Sequence, residues 1–251
     1  VKPVHDLEVL SDEAALARAV AERVVAAAAT ALAARETFAL ALAGGSTPKA
    51  AYALLASEAF RDRIAWPRVR FFFGDERCVP PDDAQSNYKM AEDTFLAALG
   101  IDPAAVFRMR GEDDPAGAAA AYAGDLRREL PAPEGVPVLD LVMLGMGPDG
   151  HTASLFPGHD PFERDELLVK DVYVEKLAVH RITLTPRTLC AAREIVVATA
   201  GDAKAEALAA VLEGPRDPVR LPSQLLAQTP GRLTWLVDRA AAARLARTVE
   251  V

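Results

Sequence analysis

Cysteine is scarce in this chain: Cys78 and Cys190 are its two copies in 251 residues. Two thiols allow at most one disulfide and fall short of a cysteine-only tetrahedral metal site, so both are expected to be reduced. Histidine is scarce as well. His5, His151, His159 and His180 are scattered, form no HExxH or other compact ligand motif, and point to no metal. The most apolar stretch, AVAERVVAAAATALAARETFALALAGG, is interrupted by Glu22, Arg23, Arg35 and Glu36, whereas a membrane span needs about 20 predominantly apolar residues in a row. The opening residues lack the basic and then apolar segments of a secretory signal, so a cytoplasmic location with no membrane partner is expected. Positive charge is in deficit: 28 basic residues face 36 acidic ones, a formal charge of -8. That balance argues against a nucleic-acid surface but leaves room for a local basic pocket that takes a small anion. Several signatures are missing outright. There is no GxxxxGK[ST], no full GxGxxG and no G-x-S-x-G elbow, so neither nucleotide binding nor a serine nucleophile is supported.

What remains is the composition of a folded globular protein, 51% hydrophobic and 25% charged, read as one domain over residues 1–251. Ser11 to Ala34 reads as one long helix with Ser11 as its cap, because Ala, Leu and Val recur at helical spacing. Short apolar runs follow at Phe38 to Ala43, Val69 to Phe73, Val138 to Leu144, Ile195 to Ala200 and Leu233 to Asp238. Each leads into a polar turn and then a helical stretch. The helices expected after them start at Pro48, run from Asn87 to Leu99 and from Ala116 to Leu130, and include a terminal Ala/Arg-rich one. Continuous apolar strands alternating with helices predict an α/β fold: an open, largely parallel sheet flanked by helices on both faces. VYVEKL and HRITLT alternate and are expected as accessory strands.

In such sheets ligands bind beyond the carboxyl ends of the strands, and four of those ends carry polar chemistry: GGSTP, GDER, GPDGH and GDAK. GGSTP offers the backbone N–H groups of Gly44 and Gly45, the Ser46 and Thr47 hydroxyls and a helix start, which suit a phosphate, or else form a plain capped turn. Lys204 at the first turn of a helix opposes the helix dipole, so an external anion would make sense of it. Arg77 and Arg181 can grip a phosphate bidentately. An imidazole can take a proton from water, which makes His151 the candidate base. Asp75 and Asp149 are the candidate carboxylates to orient it or to handle protons, and Glu76 is placed to hold an arginine. Cys78 reads as a small residue packed behind its loop, not as a nucleophile.

The segments LALAGGSTPKAAY, FFFGDERCVPPDDAQSNYKM, LDLVMLGMGPDGHTASLFPG, HRITLTPRTL and ATAGDAKAEAL resemble, in order, those of the 6-phosphogluconolactonase family, which is related in fold to the glucosamine-6-phosphate isomerases. The resemblance implies a modified Rossmann-like sheet with accessory strands. It implies that Gly44, Gly45 and Ser46 form a phosphate loop, that Asp75, Arg77 and Arg181 line the polar corner, that Lys204 approaches phosphate and that His151 is the general base. Where the isomerases read like GHIAFNEPG, this chain has GHTASLFPG, which favours the lactonase. The implied reaction is 6-phospho-D-glucono-1,5-lactone plus water giving 6-phospho-D-gluconate, the second step of the oxidative pentose phosphate pathway, with no cofactor. An aldose–ketose isomerase and deaminase of amino sugar phosphates, and a noncatalytic sugar-phosphate sensor, are the alternatives.

Overall fold

The computed structural model describes residues 5–175 and 178–246. Nine strands run through it: β1 (His5–Leu10), β2 (Phe38–Leu42), β3 (Val69–Phe73), β4 (Asp75–Arg77), β5 (Leu141–Gly145), β6 (Val169–Val174), β7 (Val179–Leu184), β8 (Glu194–Thr199) and β9 (Arg232–Asp238). Between them lie the helices α1 (Glu13–Ala34), α2 (Ser46–Leu55), α3 (Asn87–Ala91), α4 (Pro115–Glu129), α5 (Pro186–Cys190) and α6 (Ala205–Glu213). Six strands pair in parallel in the order β1-β9-β8-β5-β2-β3, and β4, β7 and β6 form a separate antiparallel sheet. This is the α/β architecture with accessory strands that the sequence predicts.

Side chains on a strand point alternately to its two faces, and the cores show it. Phe38, Leu40 and Leu42 of β2 pack with α1 and α2, while Ala39 and Ala41 pack with α4 on the opposite face. β5 divides in the same way, with Leu141 and Met143 against Val142 and Leu144. Strands buried on both faces have no polar positions to spare, which is why they read as unbroken apolar runs. Ile182 and Leu184 of the small sheet join the α4 side.

Local differences from the sequence reading have physical causes. Asp12, not Ser11, caps α1. Its carboxylate accepts from the Ala15 N–H at 2.8 Å, and Ser11 donates its hydroxyl to that same carboxylate, an arrangement that also sets a negative charge at the positive end of the helix. β1 is an edge strand in which Asp6 and Glu8 alternate with the core-facing Leu7 and Val9, so it lacks the continuous apolar run of the inner strands. β5 starts at Leu141 because Asp140 turns its carboxylate onto the Ala39 N–H, at 2.9 Å, and onto Arg35 at 2.8 Å. The helix expected to reach Leu99 is regular only to Ala91 and then forms a π turn over Glu92–Leu96. The terminal helix is not formed among the described residues: Arg239 to Arg244 make turns. Residues 247–251 of that expected helix lie outside the described chain. Among the described residues no helix is long and apolar enough to cross a membrane.

Two features aim this frame at a site. From β2 the chain crosses to β3 on one side and returns to β5 on the other, so the connections diverge beyond β2 and β5 and open a crevice there. Two buried tyrosines fix the strand ends at its edge. Tyr52 accepts from the Ala43 N–H and donates to the Ala43 carbonyl, both at 2.9 Å. Tyr122 does the same to Phe73, at 2.7 and 3.2 Å.

Candidate active site

The loop after β2 begins at the residue Tyr52 holds. Gly45 follows with φ 107 and acts as the cap residue of α2, with no side chain bonded to the helix start. A first helical turn leaves N–H groups without intrahelical partners, and here Gly44, Gly45, Ser46 and Thr47 line a cavity of about 230 Å³. Pro48 is the third residue of α2, where a missing N–H removes no helical bond. Gly44 is required for a further reason: a Cβ there would fall 1.9 Å from Asn87 Oδ1.

Beyond β3 the GDER corner forms β4, a strand where the sequence predicts a polar turn. Its pairing with β7 sets Arg77 directly opposite Arg181, and both line the cavity. Like charges facing each other across a ladder repel. Arg77 donates to the Gln85 carbonyl, and Arg181 lies 3.9 Å from Asp75. Burial lowers the Arg181 pKa, against the pull of Asp75, and its buried Nε has no hydrogen-bond partner among the described residues.

Asp75 itself is taken up by other groups. Ser154 donates its hydroxyl to Asp75 Oδ2 at 2.5 Å, and the Asn87 amide reaches the Asp75 carbonyl at 2.9 Å and Oδ1 at 3.3 Å. Glu76 does not hold an arginine side chain. Its carboxylate, 3% exposed, accepts from the Arg77, Asn87 and Tyr88 N–H groups and from the Ser86 hydroxyl. It thereby caps α3 from outside and aims Asn87 at the cavity wall. Burial raises its pKa, and the N–H donors oppose the shift.

The loop after β5 carries the histidine. The Gly147 N–H bonds the His151 carbonyl at 2.9 Å, the Gly150 N–H bonds the Gly147 carbonyl at 3.0 Å, and Gly150 takes φ 79. This tight turn brings Asp149 Oδ1 within 2.5 Å of His151 Nδ1. A carboxylate there favours the tautomer with hydrogen on Nδ1 and leaves Nε2 as the acceptor. The Phe156 ring packs on the imidazole with centroids 4.5 Å apart.

From β8 comes the fourth loop. Gly201, at φ 91, donates its N–H to both oxygens of Asp238, at 3.0 and 3.1 Å, and Asp238 is 4% exposed. Lys204 closes a 3-10 turn and stands at the cap position of α6, one position ahead of the first turn expected for it. Burial lowers its pKa and Asp149 opposes the shift.

Gly44, Gly45, Ser46, Thr47, Asp75 and Arg77 therefore line one cavity with His151, Arg181 and Lys204, and Asp149 adjoins it through His151. Asn87, Ser154 and Asp238, given no role from sequence, brace that wall. Asn87 reads as an ordinary helix-start residue, and nothing before folding pairs Asp238 with Gly201. Cys78 packs against the core with its thiol pushed up to about 11 by burial. Among the described residues no three His, Cys, Asp or Glu side chains group as a metal site requires.

The fold and site define a Rossmann-like α/β protein with a cation-rich cavity at the switch point of its sheet. Residues 11–235 match the family described as glucosamine-6-phosphate isomerases/6-phosphogluconolactonase, and the chain belongs to that family. It is 41% identical to the 6-phosphogluconolactonase of Treponema pallidum over 216 residues, covering 86% of this chain and 89% of that one. It is 36% identical to the 6-phosphogluconolactonase of Streptomyces coelicolor, covering 97% and 95%. Its structure superposes on the 6-phosphogluconolactonase from Trypanosoma cruzi with a TM-score of 0.86 at 29% identity, covering 98% and 99% of the two chains.

Proposed function

We propose that this chain is a 6-phosphogluconolactonase that hydrolyses 6-phospho-D-glucono-1,5-lactone to 6-phospho-D-gluconate in the oxidative pentose phosphate pathway, with His151 as the general base. The observation that carries the mechanism is the 2.5 Å contact between Asp149 and His151 Nδ1, in a cavity that also holds Arg77, Arg181 and Lys204. Three cations and an uncapped helix start call for a multiply charged anion. The phosphate is that anion, and it anchors the sugar so that C1 meets the histidine.

His151 Nε2 takes a proton from water as the water oxygen bonds to C1, and the carbonyl electrons move to oxygen. The oxyanion is stabilised by neighbouring N–H groups and cations. As it collapses, the bond from C1 to the ring oxygen breaks, and the departing oxygen receives the proton from His151. Asp149 keeps the imidazole in its tautomer and stabilises the imidazolium that forms between the two steps. The product acid ionises at neutral pH, so one proton is released per turnover. General-base assistance of this kind contributes about 10²–10⁴-fold. Hydrolysis involves no net oxidation or reduction and passes no group to a carrier, so the reading calls for no cofactor. The reading places the enzyme in the cytoplasm with no membrane partner, in keeping with the apolar stretch that Glu22, Arg23, Arg35 and Glu36 interrupt, and the net charge of -8 speaks against a nucleic-acid partner.

Proton release from freshly generated lactone in weak buffer tests this, with wild type and His151→Ala compared against the spontaneous rate. Release by wild type and not by folded His151→Ala is expected. Release by both would reject His151 as base, and neither exceeding background would reject the lactonase. In the latter case ammonia release from glucosamine 6-phosphate would identify a deaminase.

A further inference from the structure

We propose that Phe156 is a positioning residue that holds the His151 imidazole in one orientation and keeps a second carboxylate off its ring, fitting the site to lactone hydrolysis. The proposal rests on the reading of His151 as the base.

Three sides of the histidine are accounted for by different groups. Asp149 bonds Nδ1, and Gly147 lies so close that a Cβ there would sit 2.0 Å from that nitrogen. Phe156 covers a face of the ring, with centroids 4.5 Å apart and planes at 34°. A hydrogen bond at one edge fixes the tautomer but leaves the ring free to swing about it, and a packed phenyl removes that freedom. Phe156 is itself held, because the Arg181 guanidinium carbon lies 5.7 Å from its ring centroid, a cation–π distance.

Phe156 is also a partition. His151, Ala153 and Arg181 line the catalytic cavity, whereas Phe156 lines a second cavity of about 350 Å³ together with Lys170 and Asp171. Without the phenyl the imidazole would border that second cavity. A carboxylate in the phenyl's place would join Asp149 in stabilising the imidazolium and deprive the resting enzyme of its proton acceptor at neutral pH. The charges around His151 are Asp149 on its own loop, Lys204 beyond Asp149 on the β8 loop, Arg181 of β7 behind Phe156, and Asp75 of β4 behind Arg181. One carboxylate therefore touches the ring.

The test compares wild type with Phe156→Leu, Phe156→Tyr and Phe156→Glu in lactone hydrolysis, each checked for folding by circular dichroism. Phe156→Leu should lose about tenfold to a hundredfold in kcat with little change in KM, the size of a small misplacement of the reacting group. Phe156→Tyr keeps the ring and should restore kcat. Phe156→Glu should move the acidic limb of the kcat/KM profile upward by about one pH unit, and the His151 ring resonances should titrate higher in the same variant without substrate. Wild-type kcat in Phe156→Leu, no rescue by Phe156→Tyr, or an unmoved profile in folded Phe156→Glu would each overturn the proposal and leave the lactonase reading intact. Wild-type turnover at the spontaneous rate would overturn both.

Discussion

Asp149 and His151 stand two residues apart on a turn closed by the Gly147 N–H, and the turn alone brings their side chains to 2.5 Å. The proposed base and the group proposed to orient it thus come from one loop, so their geometry does not depend on domain movement or on a distant element. Asp149→Asn keeps the shape and removes the charge that stabilises the imidazolium. It is expected to lower kcat by about 10²-fold or more while KM stays within a few-fold. Initial rates at saturating lactone decide it, and an unchanged kcat would leave Asp149 a purely structural residue.

Lys204 is a cation whose charge is disfavoured by burial in the free protein. A phosphate relieves that penalty, so the interaction belongs to binding more than to the chemical step. Lys204→Met should raise KM by about tenfold to a hundredfold, the worth of a charged hydrogen bond, with kcat nearly retained. Equal losses in kcat and kcat/KM would place the lysine at the reacting end of the sugar instead.

Much of this was legible before folding. The β2, β3, β5, β8 and β9 runs are apolar because both faces of the sheet are covered, and the polar loops follow the carboxyl ends because the strands are parallel. Harder to read was anything that depends on which segments meet. β4 is three residues long and polar, and it becomes a strand only against β7. Asp75 and Asp149 are equivalent in sequence as partners for His151, and only the turn at Gly147 gives the contact to Asp149. Ser154 lies 79 positions from the carboxylate it bonds, a separation that carries no local signal.

Gly147 is glycine because the imidazole lies over it. A Cβ would fall 2.0 Å from His151 Nδ1, 2.2 Å from Cε1 and 2.6 Å from Asp149 Oδ1. Gly147→Ala should therefore displace the dyad, lowering kcat by about 10²-fold in a protein whose thermal midpoint shifts little. A fully active Gly147→Ala would mean that the ring can move aside without consequence.

Tyr52→Phe tests how the proposed phosphate loop is anchored. The hydroxyl satisfies both backbone groups of Ala43, and its removal leaves them buried without that partner. The expected loss is about 1–3 kcal/mol, which for a chain of this size lowers Tm by about 2–4 °C per kcal/mol. KM should rise as well, since Ala43 leads directly into Gly44. A stability loss with an unaltered KM would separate the anchor from the loop.

Glu194 opens β8 with its carboxylate 3.9 Å from Arg23, and its Oε1 lacks a hydrogen-bond donor among the described residues. Burial raises its pKa, with Arg23 and Arg232 opposing the shift. A carboxyl whose folded pKa exceeds its unfolded one adds stability at low pH and loses that contribution as pH rises through the folded value. At neutral pH the ionised group is consequently a liability. Glu194→Gln keeps the size and discards the charge, so it should melt above wild type at about pH 8, and the difference should shrink as pH falls into the ordinary carboxylate range near about 4.3. Melting curves across that interval give the sign directly. A wild type more stable than Glu194→Gln at neutral pH would show that attraction to Arg23 and Arg232 outweighs burial, and that the amino end of β8 is held by charge.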